Sequence, residues 1–369
     1  MFSSIIILAG GIGERLYPVS TGEHPKQFIE AANGKSFFQM ALERALFLEP
    51  SDYIFIVTQQ KFSGLAAEQC RQYIAALETA AQRFLEAALI IIGEPEPKHT
   101  AAAVQCCTSY LKAVSKASVA ATLLVLTSDH IISPLENFLS NCAEAACAAH
   151  TGKFVLFAIK PQWPSTEFGY IQVENCPQAP LEGSVLSIVS FHEKPNQSTA
   201  EEYIRQKVYY WNSGMFAFST ATFEQELRRY TPAAFAAFDG LSASRPVLST
   251  EQGIRVVANW NGLSLAYQKT PAIAIDKAIA EHTTVAQCVL ATFEWTDAGT
   301  WDSFADIAQE TSATAVKIES SNCFVYSDMP VALCGVEGLI VAIHKGKAVI
   351  LKKGASHLIR EAAAALRDL

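Results

Sequence analysis

Three glycines stand close together directly after an apolar run, in Leu8-Ala9-Gly10-Gly11-Ile12-Gly13, and Glu14-Arg15-Leu16-Tyr17-Pro18 follows. Glycines placed after a strand let successive backbone N–H groups converge on phosphate oxygens, an approach that side chains would block. Arg15 adds a planar fork suited to phosphate, and Lys26, in Pro25-Lys26-Gln27-Phe28, adds a point charge. The spacing excludes two common phosphate loops. GxxxxGK[ST] is absent, and Gly11, Gly13 and Leu16 do not complete GxGxxG. A second polar landmark, Ser128-Asp129-His130, also ends an apolar run. A carboxylate at such a strand end, facing a polyphosphate, is a natural magnesium ligand, although an isolated Asp there is more commonly a turn or helix cap.

Regular elements must hold these groups. Short apolar runs at Ile5–Ala9, Tyr53–Thr58, Leu89–Gly93 and Thr122–Thr127 predict strands. Ser36–Leu48, Phe62–Phe84, Thr100–Ser115 and Leu135–His150 predict helices between and after them. Alternation of this kind predicts an α/β fold, with a mostly parallel sheet and helices on both faces. Ligands then sit beyond the carboxyl ends of the strands, where both landmarks lie. After Lys153 the pattern changes to strands separated by Pro, Asn and Gly, as in a substrate lid built on the sheet. Val247–Val257 and Ala272–Glu281 read as helices. From about Ser312 short strands predict a small β-rich domain, with a short β-helix as one form of it, closed by a helix over Ser356–Leu369. The expected division is a large domain over 1–305 and this small domain over 312–369.

Composition narrows the function. Half of the 369 residues are hydrophobic, enough for a sizeable core. The formal charge of -8, with no long basic run, argues against a nucleic-acid partner. An acidic protein that binds polyphosphate must gather its cations locally or recruit a metal. The nine cysteines form no CxxC pair and fit buried thiols in a reducing cytoplasm. The N-terminus lacks the basic flank of a signal peptide, and no apolar run is long enough to span a bilayer. A cytoplasmic protein without membrane contacts is therefore expected.

The glycine loop with Arg15 and Pro25-Lys26-Gln27-Phe28 resembles the signature of the sugar nucleotidyltransferases. Within that family it is most similar to the bacterial mannose-1-phosphate guanylyltransferases. The resemblance continues in order over roughly residues 4–305. Glu94-Pro95-Glu96-Pro97-Lys98-His99-Thr100-Ala101 resembles a block in which Arg-Asn usually stands at Lys98-His99; it implies that the backbone and Thr100 lie near guanine. Gly169, in Phe168-Gly169-Tyr170-Ile171, would let backbone approach the sugar. Glu193-Lys194-Pro195 would supply a carboxylate for sugar hydroxyls and an ammonium for the sugar phosphate. Asn212, in Trp211-Asn212-Ser213-Gly214, carries the donor and acceptor that suit a diol. Asp276 resembles a family Asp and equally suits a helix N-terminus. Trp295-Thr296-Asp297-Ala298-Gly299-Thr300-Trp301 would place Asp297 as a second metal carboxylate.

The resemblance thus implies a Rossmann-like nucleotidyltransferase fold, GTP and mannose 1-phosphate as substrates, and Mg²⁺ as cofactor. Arg15, Lys26, Asp129 and Asp297 would carry catalysis, and Asp129 and Asp297 would hold the metal. Leu8, Gly10, Gly11, Gly13, Thr100 and Ser128 would bind nucleotide; Gly169, Glu193, Lys194 and Asn212 would bind sugar phosphate. Glu14 stands where the family commonly has Thr or Ser, and is expected to point away from phosphate. A homodimer is one open arrangement. Another nucleotide or sugar 1-phosphate, or a catalytically silent subunit sensing a GDP-sugar, also remains open. The fused isomerase domain of bifunctional relatives is not expected, since His344 and His357 lack metal-site spacing.

Overall fold

The structure, a computed structural model, describes residues 1–11, 13–32, 34–114, 121–174, 183–308 and 315–366. By compactness the chain forms two units. The larger comprises Met1–Gly10, Leu42–Thr127 and Ile132–Trp295; the smaller comprises Gly11–Ala41, Ser128–Ile131 and Thr296–Leu369. This division is discontinuous, unlike the split expected between 305 and 312. The glycine loop and the Asp129 segment join the tail, and positions 309–314 lie outside the described residues.

The larger unit is built on an eleven-stranded sheet. Ser4–Leu8 runs parallel to Tyr53–Gln59 on one side and to Thr122–Thr127 on the other. Its Ile5, Ile6 and Ile7 are completely buried, which explains the unbroken apolar run: a central parallel strand is covered on both faces. Leu89–Glu94 and then Ile254–Asn259 extend the parallel half. Beyond Thr122–Thr127 the sheet becomes mixed. Tyr209–Ser219 lies antiparallel to both Thr122–Thr127 and Phe154–Ile159, and Ala286–Leu290 runs parallel to Phe154–Ile159. Val185–Glu193 and Gly169–Val173 complete that side as an antiparallel pair. The expected parallel α/β layer therefore occupies one half of the sheet, and the strand-rich insertion occupies the other.

Two helices read from the sequence take other forms. Val247–Val257 is a hairpin of Val247–Glu251 and Ile254–Asn259. Its turn, Gln252-Gly253, has φ of 52° and 84°, the backbone of a tight two-residue hairpin turn. Ile254 and Val256 alternate inward, a period of two that short apolar spacing disguised. Within Ala272–Glu281 only one wide turn, Asp276–Ala280, is helical. Phe62–Phe84 divides into Ser63–Ala75 and the helix that starts at Thr79 and runs to Ala88.

The smaller unit packs the segment around Leu16–Phe37 against Trp301, Phe304 and the tail strands. In the tail, Ala315–Ile318 runs parallel to Val331–Cys334, and Phe324–Ser327 runs parallel to Leu339–His344. Every partner in these pairings, and in the Ser321–Glu337 bridge, lies sixteen residues along the chain. The tail is thus one turn of a β-coil stacked on the next. Lys347–Lys352 then closes it as an antiparallel strand, and Ile359–Ala365 is the final described helix. No helix among the described residues is long and apolar enough to cross a membrane.

Candidate active site

In the smaller unit the Lys26 ammonium lies 2.9 Å from Asp129 Oδ2 and 3.1 Å from Asp297 Oδ1. Residues more than a hundred positions apart in sequence thus meet at one nitrogen. Lys26 is 4% exposed, and its ammonium also lies 5.6 Å from the centre of the Phe37 ring. Burial would lower the lysine pKa; the charges of Asp129 and Asp297 outweigh it and raise it. Burial likewise opposes ionisation of Asp129, but the Lys26 and His130 charges prevail and hold its carboxyl well below the usual range. His130 Nε2 is 4.0 Å from Asp129 Oδ1, and both His130 and the neighbouring Ser128 are buried.

Local geometry fixes each member of this centre. Gly13 has φ of 69°, and a Cβ there would stand 2.3 Å from Lys26 Cβ, so glycine is required for the lysine stem to pass. Ser20 Oγ donates to Gly13 O at 2.6 Å. Gly299 has a similar duty: a Cβ would meet the Asp297 carboxylate at 3.0 Å. Thr300 then starts the helix Trp301–Ile307 with a reciprocal cap to Ser303, and Trp301 Nε1 donates to Tyr17 O at 2.9 Å. Trp301 is therefore a packing residue beside the glycine loop. Arg15 lies in the short turn Glu14–Leu16, and Gly11 is exposed with open space beside its Cα. The Glu14 side chain, whose direction the sequence predicted, lies outside the described atoms.

The donor chemistry suits a hard divalent cation. Two carboxylate oxygens reach one cationic nitrogen, so they lie no more than about 6 Å apart. Asp129 and Asp297 side chains remain 36% and 26% exposed, open to further oxygen ligands. Magnesium commonly takes one or two carboxylates and completes its shell with phosphate oxygens and water. Among the described residues no cluster of three or more His, Cys, Asp or Glu gathers as an all-protein cage.

The larger unit holds the sugar-side candidates together. Glu193 pairs with Gly169 across Gly169–Val173 and Val185–Glu193, and a Cβ on Gly169 would stand 2.7 Å from Glu193 Oε2. Lys194, with φ of 47°, places its ammonium 3.3 Å from Glu193 Oε1. Asn212 is 8% exposed; its Nδ2 donates to Asp276 Oδ1 at 2.7 Å, and its Oδ1 accepts from Gly214 N. Burial and then the Glu193 charge push Asp276 up to about 6, against the Asn212 hydrogen bond. The two carboxylates thus share one polar cluster. Phe168 lies edge-on to Trp211 and Trp295, with ring centres 5.1 Å and 5.2 Å away, so Trp295 also packs.

At the carboxyl ends of the parallel strands, Leu8 gives way to Ala9 and Gly10, whose carbonyls are held by Thr58 Oγ1 and Gln59 Nε2, each at 2.8 Å. Thr100 is not the cap of the helix His99–Val114. Its hydroxyl accepts from Ile275 N at 2.8 Å, tying this helix to the Asp276 segment. Sequence reasoning missed Glu94 and Tyr267. Glu94 ends the strand Leu89–Glu94, is 7% exposed, and accepts from the Tyr267 hydroxyl at 3.1 Å. Its signal was a charged residue inside the Glu-Pro block, at the end of an apolar run.

Residues 4–314 match the family profile of nucleotidyl transferases. The chain belongs to the nucleotidyltransferase family. Its mixed sheet and glycine-loop arrangement are those of a nucleotidyltransferase fold. The crystal structure of a mannose-1-phosphate geranyltransferase from Thermus thermophilus is similar throughout, with a TM-score of 0.80, 29% identity and full coverage of both chains. This nucleotidyltransferase is 35% identical over 298 residues to a mannose-1-phosphate guanylyltransferase of Sinorhizobium fredii, covering 80% of the chain and 53% of the relative. It is 30% identical over 358 residues to the mannose-1-phosphate guanylyltransferase of Escherichia coli, covering 95% and 70% respectively. The chain thus spans from about half to about seven tenths of the length of these curated relatives.

Proposed function

We propose that the chain transfers GMP from GTP to mannose 1-phosphate, giving GDP-mannose and pyrophosphate. The observation that carries this reading is the convergence of Lys26, Asp129 and Asp297. A buried ammonium between two part-exposed carboxylates handles anionic phosphate and a divalent cation together. The names of the relatives support the choice of sugar and base.

A phosphate oxygen of mannose 1-phosphate attacks the α-phosphorus of GTP. The new P–O bond forms as the bond to the bridging α,β-oxygen breaks, and the electron pair leaves on pyrophosphate. The nucleophile is already an anion, so no general base is needed. The barrier is repulsion between anions and the loss of freedom on bringing them together. Arg15 grips the β,γ-phosphates with its planar fork. Lys26 and Lys194 shield the incoming phosphate, and Ser128 and the backbone of Leu8, Gly10, Gly11 and Gly13 contact nucleotide. Glu193 and Asn212 hold sugar hydroxyls, and Gly169 leaves room for the sugar. Asp129 and Asp297 would hold Mg²⁺, which when bound supplies charge neutralisation to the phosphates. The eight described cysteines are free thiols, which suits a reducing cytoplasm.

The test is pyrophosphate release from GTP, ATP, UTP, CTP and dTTP against several sugar 1-phosphates. GTP with mannose 1-phosphate should turn over fastest. A clear preference for dTTP with glucose 1-phosphate would overturn the assignment, and no turnover with any pair would favour a sensing subunit.

A further inference from the structure

Family resemblance sets Thr100 near the nucleotide, yet its hydroxyl accepts from Ile275 N at 2.8 Å, and Ile275 is completely buried. One residue on, Ala101 N donates to Ile273 O at 3.2 Å. That bond satisfies an N–H which the first turn of the helix His99–Val114 would otherwise leave free. The start of this helix is thus stapled twice to the segment Ile273–Ile275. Asp276 comes next in the chain and opens the wide turn Asp276–Ala280, of the i to i+5 kind that is frequent at functional sites. The Thr231 hydroxyl donates to Ala278 O at 3.0 Å and braces that turn. Asp276 Oδ1 in its turn accepts from Asn212 Nδ2 at 2.7 Å. Asn212 Oδ1 accepts from Gly214 N at 3.1 Å, so both ends of the amide are engaged. One Nδ2–H and one Oδ1 lone pair remain for a ligand.

We propose that Thr100 is a positioning residue of the sugar-phosphate half of the site, acting through Ile275 and Asp276 on the Asn212 amide. This rests on the nucleotidyl-transfer reading above, in which Asn212 holds sugar hydroxyls. The Thr100 oxygen anchors the backbone at Ile275, and the carboxylate of the next residue is aimed by that anchor. The carboxylate fixes which way the amide points. With Asp276 displaced, Gly214 N alone would orient Asn212, and the donor and acceptor offered to a diol would lose their fixed places. A methyl group in place of the Thr100 hydroxyl leaves Ile275 N buried without an acceptor, a costly state that the segment relieves by shifting. Serine keeps the oxygen and so keeps the anchor.

The experiment measures kcat and the KM values for GTP and mannose 1-phosphate in the wild type, Thr100→Val, Thr100→Ser and Asp276→Leu. Thr100→Val should raise the KM for mannose 1-phosphate about tenfold, the size of one lost hydrogen bond, and change kcat and the KM for GTP by less than about twofold. Thr100→Ser should recover most of that loss. Asp276→Leu should show the same split between substrates. The double variant Thr100→Val/Asp276→Leu should lose no more than Asp276→Leu alone, because both changes act on one path. A rise in the KM for GTP as large as that for the sugar phosphate would show that Thr100 serves the nucleotide or only the fold, and would overturn the proposal. Losses that multiply in the double variant would overturn it too. If Thr100→Val fails to fold, Thr100→Ala, which leaves room for water at Ile275 N, carries the same test. A wild-type preference for another substrate pair would refute the guanylyl reading, and the same comparison with that pair would still decide the role of Thr100.

Discussion

Replacing Lys26 with Met removes the ammonium that Asp129 and Asp297 share and leaves their carboxylates no more than about 6 Å apart. Breaking a fully buried ion pair costs about 3–5 kcal/mol. Here the lysine is buried but the carboxylates are 36% and 26% exposed, so water recovers part of the loss. A destabilisation of about 2 kcal/mol is expected, or a fall in Tm of about 2–4 °C for a chain of 369 residues. The same change should make the protein metal-hungry. With its internal cation gone, the carboxylate pair gains more from a divalent ion, and Mg²⁺ at a hundred times its Kd returns about 2.7 kcal/mol. Thermal unfolding with MgCl₂ or with EDTA measures both effects. Magnesium should raise the Tm of Lys26→Met more than that of the wild type. The added Asp129→Asn change should remove the difference. A Lys26→Met protein as stable as the wild type, and indifferent to magnesium, would refute the reasoning about this centre.

Two further predictions concern the larger unit. Burial raises the Glu94 pKa from the ordinary 4.5 to about 7, so the folded chain keeps a proton that the unfolded chain has lost. Folding stability should therefore fall as pH rises from about 4.5 to about 7, by about 3 kcal/mol in all, and level off above. Urea unfolding at pH 5 and pH 8 should show this loss in the wild type and not in Glu94→Gln; equal slopes would contradict it. Glu193→Gln should raise the KM for mannose 1-phosphate by about tenfold to a hundredfold, with GTP affinity nearly unchanged. A matching loss for GTP would mean that the Gly169–Glu193–Asn212 cluster serves the nucleotide.

Much of this could be read from the residues because the chemistry sits at strand ends. Completely buried Ile5–Ile7 and the glycines after them announced a central parallel strand and its loop. Strand pairing sets Glu193 opposite Gly169 and Trp211, the neighbour of Asn212, opposite Tyr170. What spacing could not show was the partner of Lys26, because Asp129 and Asp297 reach it only through tertiary folding. The hairpin at Val247–Asn259 was misread since its apolar residues also fit a helical period, while the Gln252-Gly253 turn was the better signal. The sixteen-residue offset in the tail stayed hidden because the coil repeats its backbone and not its side chains. Glu94 was passed over because burial, and not its type, makes it unusual.

The central claim is that Asp129 and Asp297, joined at Lys26, form the phosphoryl-transfer centre. The direct measurement is kcat for GDP-mannose formation at saturating GTP, mannose 1-phosphate and MgCl₂, in the wild type, Asp129→Asn and Asp297→Asn, with folding checked by circular dichroism. Each variant should stay folded and lose about two or more orders of magnitude in kcat, the size of a lost transition-state charge contact. Wild-type turnover by either variant would contradict the account.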